Sequence, residues 1–191
     1  FYIIYLKKSI IPINSMKTRK NIFKKKHFES SDGMITKIWG PSMWHFLHTL
    51  SFNYPVNPSN EDKKNYKEFM INLTNILPCK HCRVNLKKNY IKRPLKLENL
   101  KNRDTFSRYV YNLHEDINKM LGKKSNIKYK DVRNLYENFR SRCKTIKKIE
   151  KIENGCLEPL YGKKAKCIIN IVPQEEKRKT FNIDKKCITH S

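Results

Sequence analysis

The chain has 191 residues, of which 38% are hydrophobic and 31% charged, and its 42 lysines and arginines against 17 acidic residues give a formal net charge of +25. This length predicts one domain with extensions, and the low hydrophobic content confines the core to part of the chain. It excludes a disulfide-stapled miniprotein, and the absence of any apolar run near ~20 residues excludes a membrane span.

The positive charge is spread along the chain and comes mostly from lysine rather than arginine. Specific recognition of bases and phosphates favours the bidentate guanidinium of arginine. We therefore expect lysine-rich solvated faces and no specific nucleic-acid site, although loose binding of polyanions at low salt is expected.

Three regions differ in composition. Residues 1–37 are basic and aperiodic and are interpreted as a flexible N-terminal arm. Residues 38–143 are rich in aromatic residues at helical spacing and form the predicted domain. Residues 144–191 are a Lys-rich C-terminal extension with three cysteines, at 156, 167 and 187.

Five helices are predicted within the domain. The first runs from Pro41 to Phe52, the second follows Ser59 and stops at Pro78, the third starts at Cys79 and ends before Pro94, the fourth spans Phe106–Leu121, and the fifth starts near Lys130. Proline in a first turn, serine as an N-cap and Gly122 after a helix end set these limits. The predicted fold is all-α, a four-helix bundle with a fifth short helix, flanked by basic, largely irregular terminal extensions.

The sequence Pro78-Cys79-Lys80-His81-Cys82 carries the chemistry. Two cysteines three residues apart at a helix start can close a disulfide within one turn, and the positive helix end with Lys80 and His81 favours the thiolate. A Cys-x-x-Cys pair also occurs in zinc sites and thioredoxins. Zinc needs four ligands and no second pair is present, and a thioredoxin needs a preceding strand, so a redox pair is favoured and no metal site is predicted.

Two apolar helix stripes each contain a histidine. Trp44 and His48 lie four residues apart on the first helix, and His114 and Asn118 do so on the fourth. Each histidine on its own is read as a core residue with a backbone partner. Two facing pairs, however, predict a flat slot with polar edges that suits an aromatic cofactor.

The order of these motifs resembles the flavin-dependent sulfhydryl oxidases of the Erv/ALR type over residues 38–143. The matching segments are W-G-P-x-x-W-x-x-L-H-T-L from Trp39, Tyr54-Pro55, the Cys79–Cys82 pair, L-H-x-x-x-N from Leu113, and L-G-K from Leu121. The family folds as a four-helix bundle with a fifth helix and holds FAD non-covalently.

The resemblance implies a role for each matching residue. FAD contacts are implied for Gly40, Trp44, His48, Tyr54, Cys82, His114, Asn118, Lys123 and Tyr136. Cys82 would lie against the flavin ring, while Cys79 would exchange with incoming thiols. Tyr136, with Phe139, stands where many members have tryptophan.

The implied activity is oxidation of protein thiols to disulfides, with electrons passing through FAD to dioxygen to give hydrogen peroxide. A homodimer is also implied. A viral version would work in the host cytoplasm or virion, and a cellular one in the mitochondrial intermembrane space or the secretory pathway.

The chain departs from the family at the second disulfide of cellular members. Cys143 matches its later cysteine, but no earlier one precedes the fifth helix, so this disulfide is expected to be absent or rewired. In the extension, residues 155–162 are predicted as a turn before a short strand at 167–172. A Cys156–Cys167 bridge is sterically easy and could act as an electron shuttle, but unpaired thiols or a local staple are favoured.

Two other functions compete with the oxidase. One is a basic zinc- or nucleic-acid-binding helical module, which would have no use for the two aromatic and histidine stripes. The other is a structural bundle, in which Cys79 and Cys82 would be dispensable. A yellow flavin spectrum without stoichiometric zinc distinguishes the oxidase from both.

Overall fold

The computed structural model describes residues 29–30, 33–144, 155–178 and 181–188. Five α-helices follow in order: α1 Thr36–Phe52, α2 Asn60–Ile76, α3 Lys80–Lys92, α4 Arg103–Met120 and α5 Tyr129–Glu137. A 3-10 turn at Leu97–Leu100 joins α3 to α4. The prediction of an all-α bundle with a short fifth helix is confirmed for this region.

Local signals set most of the helix ends. Ser59 caps α2 reciprocally with Asp62, since its Oγ accepts from the Asp62 N–H at 3.0 Å while the Asp62 carboxylate accepts from the Ser59 N–H at 2.8 Å. Gly122 follows α4 with φ of 67°, as predicted for a residue just past a helix end. There the Gly122 and Lys123 N–H groups donate to Lys119 and Asn118 carbonyls, which ends the helix and fixes the position of Lys123.

The start of α1 was predicted at Pro41, but the helix begins five residues earlier, at Thr36. Proline therefore lies inside the helix. The additional turn is held by one local and one tertiary contact. The Trp39 indole N–H donates to the Met34 carbonyl at 3.1 Å, and the Thr36 hydroxyl lies 3.8 Å from the Cys82 sulfur of α3. Propensity rules do not include such contacts.

The core lies between α1, α2, α3 and α4. Its fully buried apolar side chains are Tyr54, Met70, Leu100, Phe106, Val110 and Leu113. Tyr54 contacts Tyr66 and Phe106 through its ring and donates its hydroxyl hydrogen to the Leu100 carbonyl at 2.9 Å. This arrangement satisfies the one polar atom of a large buried ring.

Two short strands follow the helices. Strand β1, Ser141–Lys144, pairs antiparallel with β2, Gly155–Pro159, and the pairing is irregular between Arg142 and Lys144. The extension was predicted to be a turn at 155–162 and a strand at 167–172. The structure reverses this, because the first segment finds a partner strand in β1 and the second finds none among the described residues.

Arg140 connects the strand pair to the bundle. Its guanidinium donates to the Phe52 carbonyl at the end of α1 and pairs with Glu137 at the end of α5. The C-terminal extension is therefore held beside α1 and α5. Residues 1–28, most of the predicted N-terminal arm, lie outside the described residues.

Candidate functional site

The Cys79–Cys82 pair lies at the start of α3, as predicted. Cys79 is the N-cap, and its sulfur accepts a hydrogen bond from the Cys82 N–H at 3.3 Å. Both thiols are free and half-buried in this structure. The helix start thus brings the two sulfurs together within one turn, which is the geometry that a reversible disulfide needs.

The two thiols have different acidities. Burial alone would raise the pKa of Cys79, but hydrogen bonds from the Cys82 thiol and N–H, together with Thr36, outweigh it and lower that pKa. The pKa of Cys82 is raised to about 11 by burial and by the hydrogen bond that the Cys82 thiol donates to Cys79. Cys79 is therefore the more acidic thiol of the reduced pair.

The segment before α1 lies directly against this pair. Gly33 forms an isolated antiparallel bridge with Cys79, and the Met34 N–H donates to the Pro78 carbonyl at 2.9 Å. A Cβ at Gly33 would lie 2.7 Å from the Pro78 oxygen, so a side chain there would force the two backbones apart. This close backbone approach places Thr36 beside Cys82.

The predicted stripes of α1 and α4 meet in an aromatic and histidine cluster. Trp44 stacks on His114 with ring centroids 3.9 Å apart and planes 7° from parallel. His48 Nε2 lies 3.0 Å from His114 Nδ1, so one histidine donates to the other. Tyr136 of α5 packs against His48 with ring centroids 5.3 Å apart, and the Tyr136 hydroxyl oxygen lies 3.2 Å from His45 Nδ1.

Both histidines of the pair are neutral at physiological pH. Burial, followed by the nearby His114 and His45, lowers the pKa of His48 to about 3. Burial lowers the pKa of His114 to about 4, with Glu115 opposing this effect and Lys123 adding to it. His48 Nδ1 is buried without a hydrogen-bond partner in the described part of the chain. A buried nitrogen of this kind can accept or donate one further hydrogen bond, to a polar ligand atom or to an ordered water.

These histidines should make stability depend on pH. Because their pKa values are lowered on folding, their stabilising effect is complete above about pH 6.5 and is lost as the pH falls toward 4 and 3. Asparagine in His114→Asn keeps a hydrogen-bonding group but cannot titrate. When the pH falls from 7 to 4.5, we expect the free energy of unfolding to decrease in this variant by about 1–3 kcal/mol less than it does in the parent. Urea unfolding of the cofactor-free proteins measures this difference, and parallel stability curves would contradict it.

The other predicted residues differ in position. Gly40 lies one turn before Trp44. A Cβ at Gly40 would lie 3.6 Å from Thr36 Cγ2, and no other described atom outside the backbone of the helix itself would lie within 4 Å of it. Asn118 lies one turn after His114 and donates to Glu115 at 3.2 Å. Lys123 is close enough to His114 to lower its pKa.

Tyr54 does not belong with them. It has no exposed surface, and its hydroxyl is used by the Leu100 carbonyl. Its side chain thus stabilises the core, and this position does not support the predicted contact with a cofactor. Tyr-Pro after a helix is compatible with both roles, so the sequence did not distinguish them.

Two contributors to the cluster were not predicted. His45 contacts Tyr136 through its ring nitrogen, and Phe181 from the C-terminal extension lies against His45 with ring centroids 4.6 Å apart. His45 stands beside Trp44 and could have been included on that ground. Phe181 follows a lysine-rich stretch with no periodicity, and its position depends on the path of the extension.

The cysteines of the extension do not form the Cys156–Cys167 bridge, which the sequence analysis considered but did not favour. Cys156 is disulfide-bonded, whereas Cys167 is a free, exposed thiol. Cys187 is also free and half-buried. The side chain of Cys143 lies outside what the structure describes.

No group of three or more potential metal ligands stands together within the described ranges. Across the same residues, each helix is too short or too polar to traverse a lipid bilayer. The fold and its two clusters instead define a class, a helical bundle that presents a dithiol at one helix start and an aromatic and histidine surface along another.

Comparison with known proteins identifies the family. The sequence profile of the Erv1/Alr family matches residues 41–140, slightly more than half of the chain. The chain therefore belongs to the Erv1/Alr family, and the resemblance inferred from its motifs is confirmed.

Individual relatives agree with this assignment. A probable FAD-linked sulfhydryl oxidase of Acanthamoeba polyphaga mimivirus is 36% identical over 91 residues, which are 48% of this chain and 64% of the relative. The FAD-linked sulfhydryl oxidase ERV1 of Arabidopsis thaliana is 33% identical, with 50% of this chain and 49% of the relative covered. The FAD-linked sulfhydryl oxidase of an African swine fever virus isolate is 32% identical, and the matched region covers 56% of this chain and 86% of the relative.

The chain thus spans less than two thirds of the mimivirus and Arabidopsis relatives. Among solved structures, the yeast Erv1 core aligns with 63% of this chain and 95% of its own, at 21% identity and a TM-score of 0.49.

Proposed function

We propose that this protein is an FAD-linked thiol oxidase that forms disulfides in substrate proteins through Cys79 and Cys82. Its curated relatives in a mimivirus, a plant and African swine fever virus are named FAD-linked sulfhydryl oxidases. The observation that carries the proposal is the arrangement along α1, where Thr36 contacts the Cys82 sulfur and Trp44 and His48 lie further along the same helix.

The residues of this surface fit FAD. Thr36 and His48 are twelve residues apart, which a helix spans in about 18 Å, a length that suits an extended dinucleotide. The orphaned His48 Nδ1 offers a hydrogen bond, and the open space at Gly40 admits a ligand against the helix backbone. The residues that would hold FAD are Gly40, Trp44, His48, Cys82, His114, Asn118, Lys123 and Tyr136.

The pair itself performs the thiol chemistry. A substrate thiolate attacks the Cys79 sulfur of the Cys79–Cys82 disulfide, which forms a mixed disulfide and leaves the electron pair of the broken bond on Cys82. A second substrate thiolate then attacks the substrate sulfur of the mixed disulfide, which releases Cys79. Two substrate thiols become one disulfide, and the pair keeps two electrons and two protons.

The hydrogen bonds at the helix start assist the second step. The Cys82 and Thr36 groups that lower the pKa of Cys79 stabilise it as a thiolate, and a thiolate of lower pKa leaves faster. A bound FAD would supply the two-electron acceptor for the Cys79 and Cys82 thiols, so that their disulfide is restored and dioxygen is finally reduced to hydrogen peroxide.

The proposal is tested by the spectrum and the product. Purified protein is expected to be yellow, with the absorbance of an oxidised flavin at about one FAD per chain, and to form hydrogen peroxide from dithiothreitol. A colourless protein that neither binds added FAD nor consumes thiols would contradict it. The homodimer implied by the resemblance stays a prediction, and sedimentation of the flavin-loaded protein measures it.

A further inference from the structure

The helix that carries the redox pair has an unbalanced charge. Helix α3 contains five lysines and arginines and no acidic residue, whereas α2 and α4 each contain three basic and three acidic residues and α5 contains two of each. Helix α1 contains one lysine. The net positive charge of the five helices is therefore concentrated on α3.

Folding does not account for this concentration. The start of a helix is stabilised by acidic side chains and destabilised by basic ones, because the peptide dipoles leave a partial positive charge there. Helix α2 follows the rule with Glu61 and Asp62, but α3 begins with Lys80 and His81 and has no acidic residue in its first turn. A local rule broken beside a reactive group indicates a functional requirement.

The basic residues border a groove next to the pair. Lys80, Val84 and Lys87 lie at helical spacing on one face of α3 and line a shallow groove of about 290 Å³ that also contacts Glu29. Lys80 and Lys87 form no ion pair with a carboxylate within the ranges that the structure describes. Their ammonium groups are therefore available to a partner that reaches Cys79.

We propose that this face of α3 binds an acidic, cysteine-bearing segment of the substrate protein. This inference rests on the proposed thiol oxidase activity. Carboxylates on one side of the substrate thiol would pair with Lys80 and Lys87, which both follow Cys79 along α3, while the thiol meets Cys79. Such complementarity accelerates encounter and orients the segment.

A peptide fits this face better than a nucleic acid does. The arginine of this face, Arg83, is buried and donates to the Leu77 carbonyl at 2.6 Å, so its guanidinium is not free for bidentate contact with phosphate. Val84, which lines the same groove between Lys80 and Lys87, is 42% exposed. An exposed apolar side chain between charges suits a peptide.

The first experiment compares two dithiol peptides that differ in whether aspartates or lysines flank the cysteines. With the flavin-loaded full chain, we expect kcat/KM to be at least about tenfold higher for the acidic peptide, and to fall toward the basic peptide's value between roughly 0.05 and 0.5 M salt. The intrinsic reactivity of the thiols works against this difference, because acidic neighbours raise the pKa of a substrate thiol and leave less of it as thiolate. Equal values at low salt would overturn the proposal.

The second experiment assigns the effect to α3. In Lys87→Glu, the ratio of acidic-peptide turnover to dithiothreitol turnover is expected to fall about three- to tenfold. Lys64→Glu, which makes the same charge change at an exposed position of the balanced helix α2, is expected to leave the ratio unchanged. Equal ratios in the two variants would overturn the proposal.

A binding measurement separates this inference from the oxidase activity. Fluorescence anisotropy of a cysteine-free acidic peptide is expected to show binding that Lys87→Glu weakens and Lys64→Glu does not, whether or not thiols are oxidised. A single-stranded oligonucleotide of equal charge serves as competitor, and tighter Lys87-dependent binding of the oligonucleotide would overturn the assignment to an acidic protein. Loss of dithiothreitol oxidation with peptide binding intact would instead count against the proposed function.

Discussion

Cys79→Ser and Cys82→Ser are each expected to reduce peroxide formation from dithiothreitol by roughly a thousandfold or more, and the double variant is expected to be no worse. Residues that act as one unit show such non-additive losses, because either change removes the whole route. Serine at position 79 can keep the N-cap hydrogen bond to the Cys82 N–H, so the helix start should survive. The flavin is expected to stay bound in both single variants.

The matched control is the exposed free thiol of the extension. Cys167→Ser removes a free, exposed cysteine of the C-terminal extension, and its dithiothreitol turnover should equal that of the parent. Turnover in Cys79→Ser that matches Cys167→Ser, with flavin content equal in both, would show that the pair is not the redox centre.

Gly40→Ala and Gly40→Leu are expected to stabilise the cofactor-free protein yet weaken FAD binding. Glycine within a helix is less stable than alanine by about 0.5–1 kcal/mol, and the protein offers no clash to a Cβ at this position. A side chain would instead occupy the space proposed for FAD. We expect a higher melting temperature without FAD and, for the leucine variant, at least about tenfold weaker binding by flavin fluorescence titration.

Ser42→Ala is the control for this prediction. It lies exposed on α1, two residues away and so on a different side of the helix, and it should raise stability slightly with no change in FAD affinity. If Gly40→Leu also binds FAD as tightly as the parent, the cofactor does not lie against this part of α1.

The sequence predicted the helices best where local chemistry decides their ends. Ser59, Pro78 and Gly122 act through their own side chains or backbone freedom, so their effects can be read without the rest of the structure. The pair at Cys79 and the stripes of Trp44 with His48 were predicted for the same reason. Their spacing on a helix determines which side chains share a face.

Features that depend on distant residues were not predictable in this way. Helix α1 begins early because Thr36 finds a partner in the distant Cys82, and the β1–β2 pair forms only because residue 155 and its neighbours return to residues 141–144. Tyr54 was assigned to the site because its motif matches, but its ring fills the core. In each case, tertiary packing overrode or completed a local signal.

The contact between Phe181 and His45 has a consequence for how this protein is shortened. The family profile stops at residue 140, and a version trimmed to that limit would discard a ring that packs 4.6 Å from His45. The aromatic surroundings of His45 thus include a side chain that lies outside the segment matched by the family profile. Laboratory versions intended to preserve the native cofactor surroundings should therefore extend beyond residue 181.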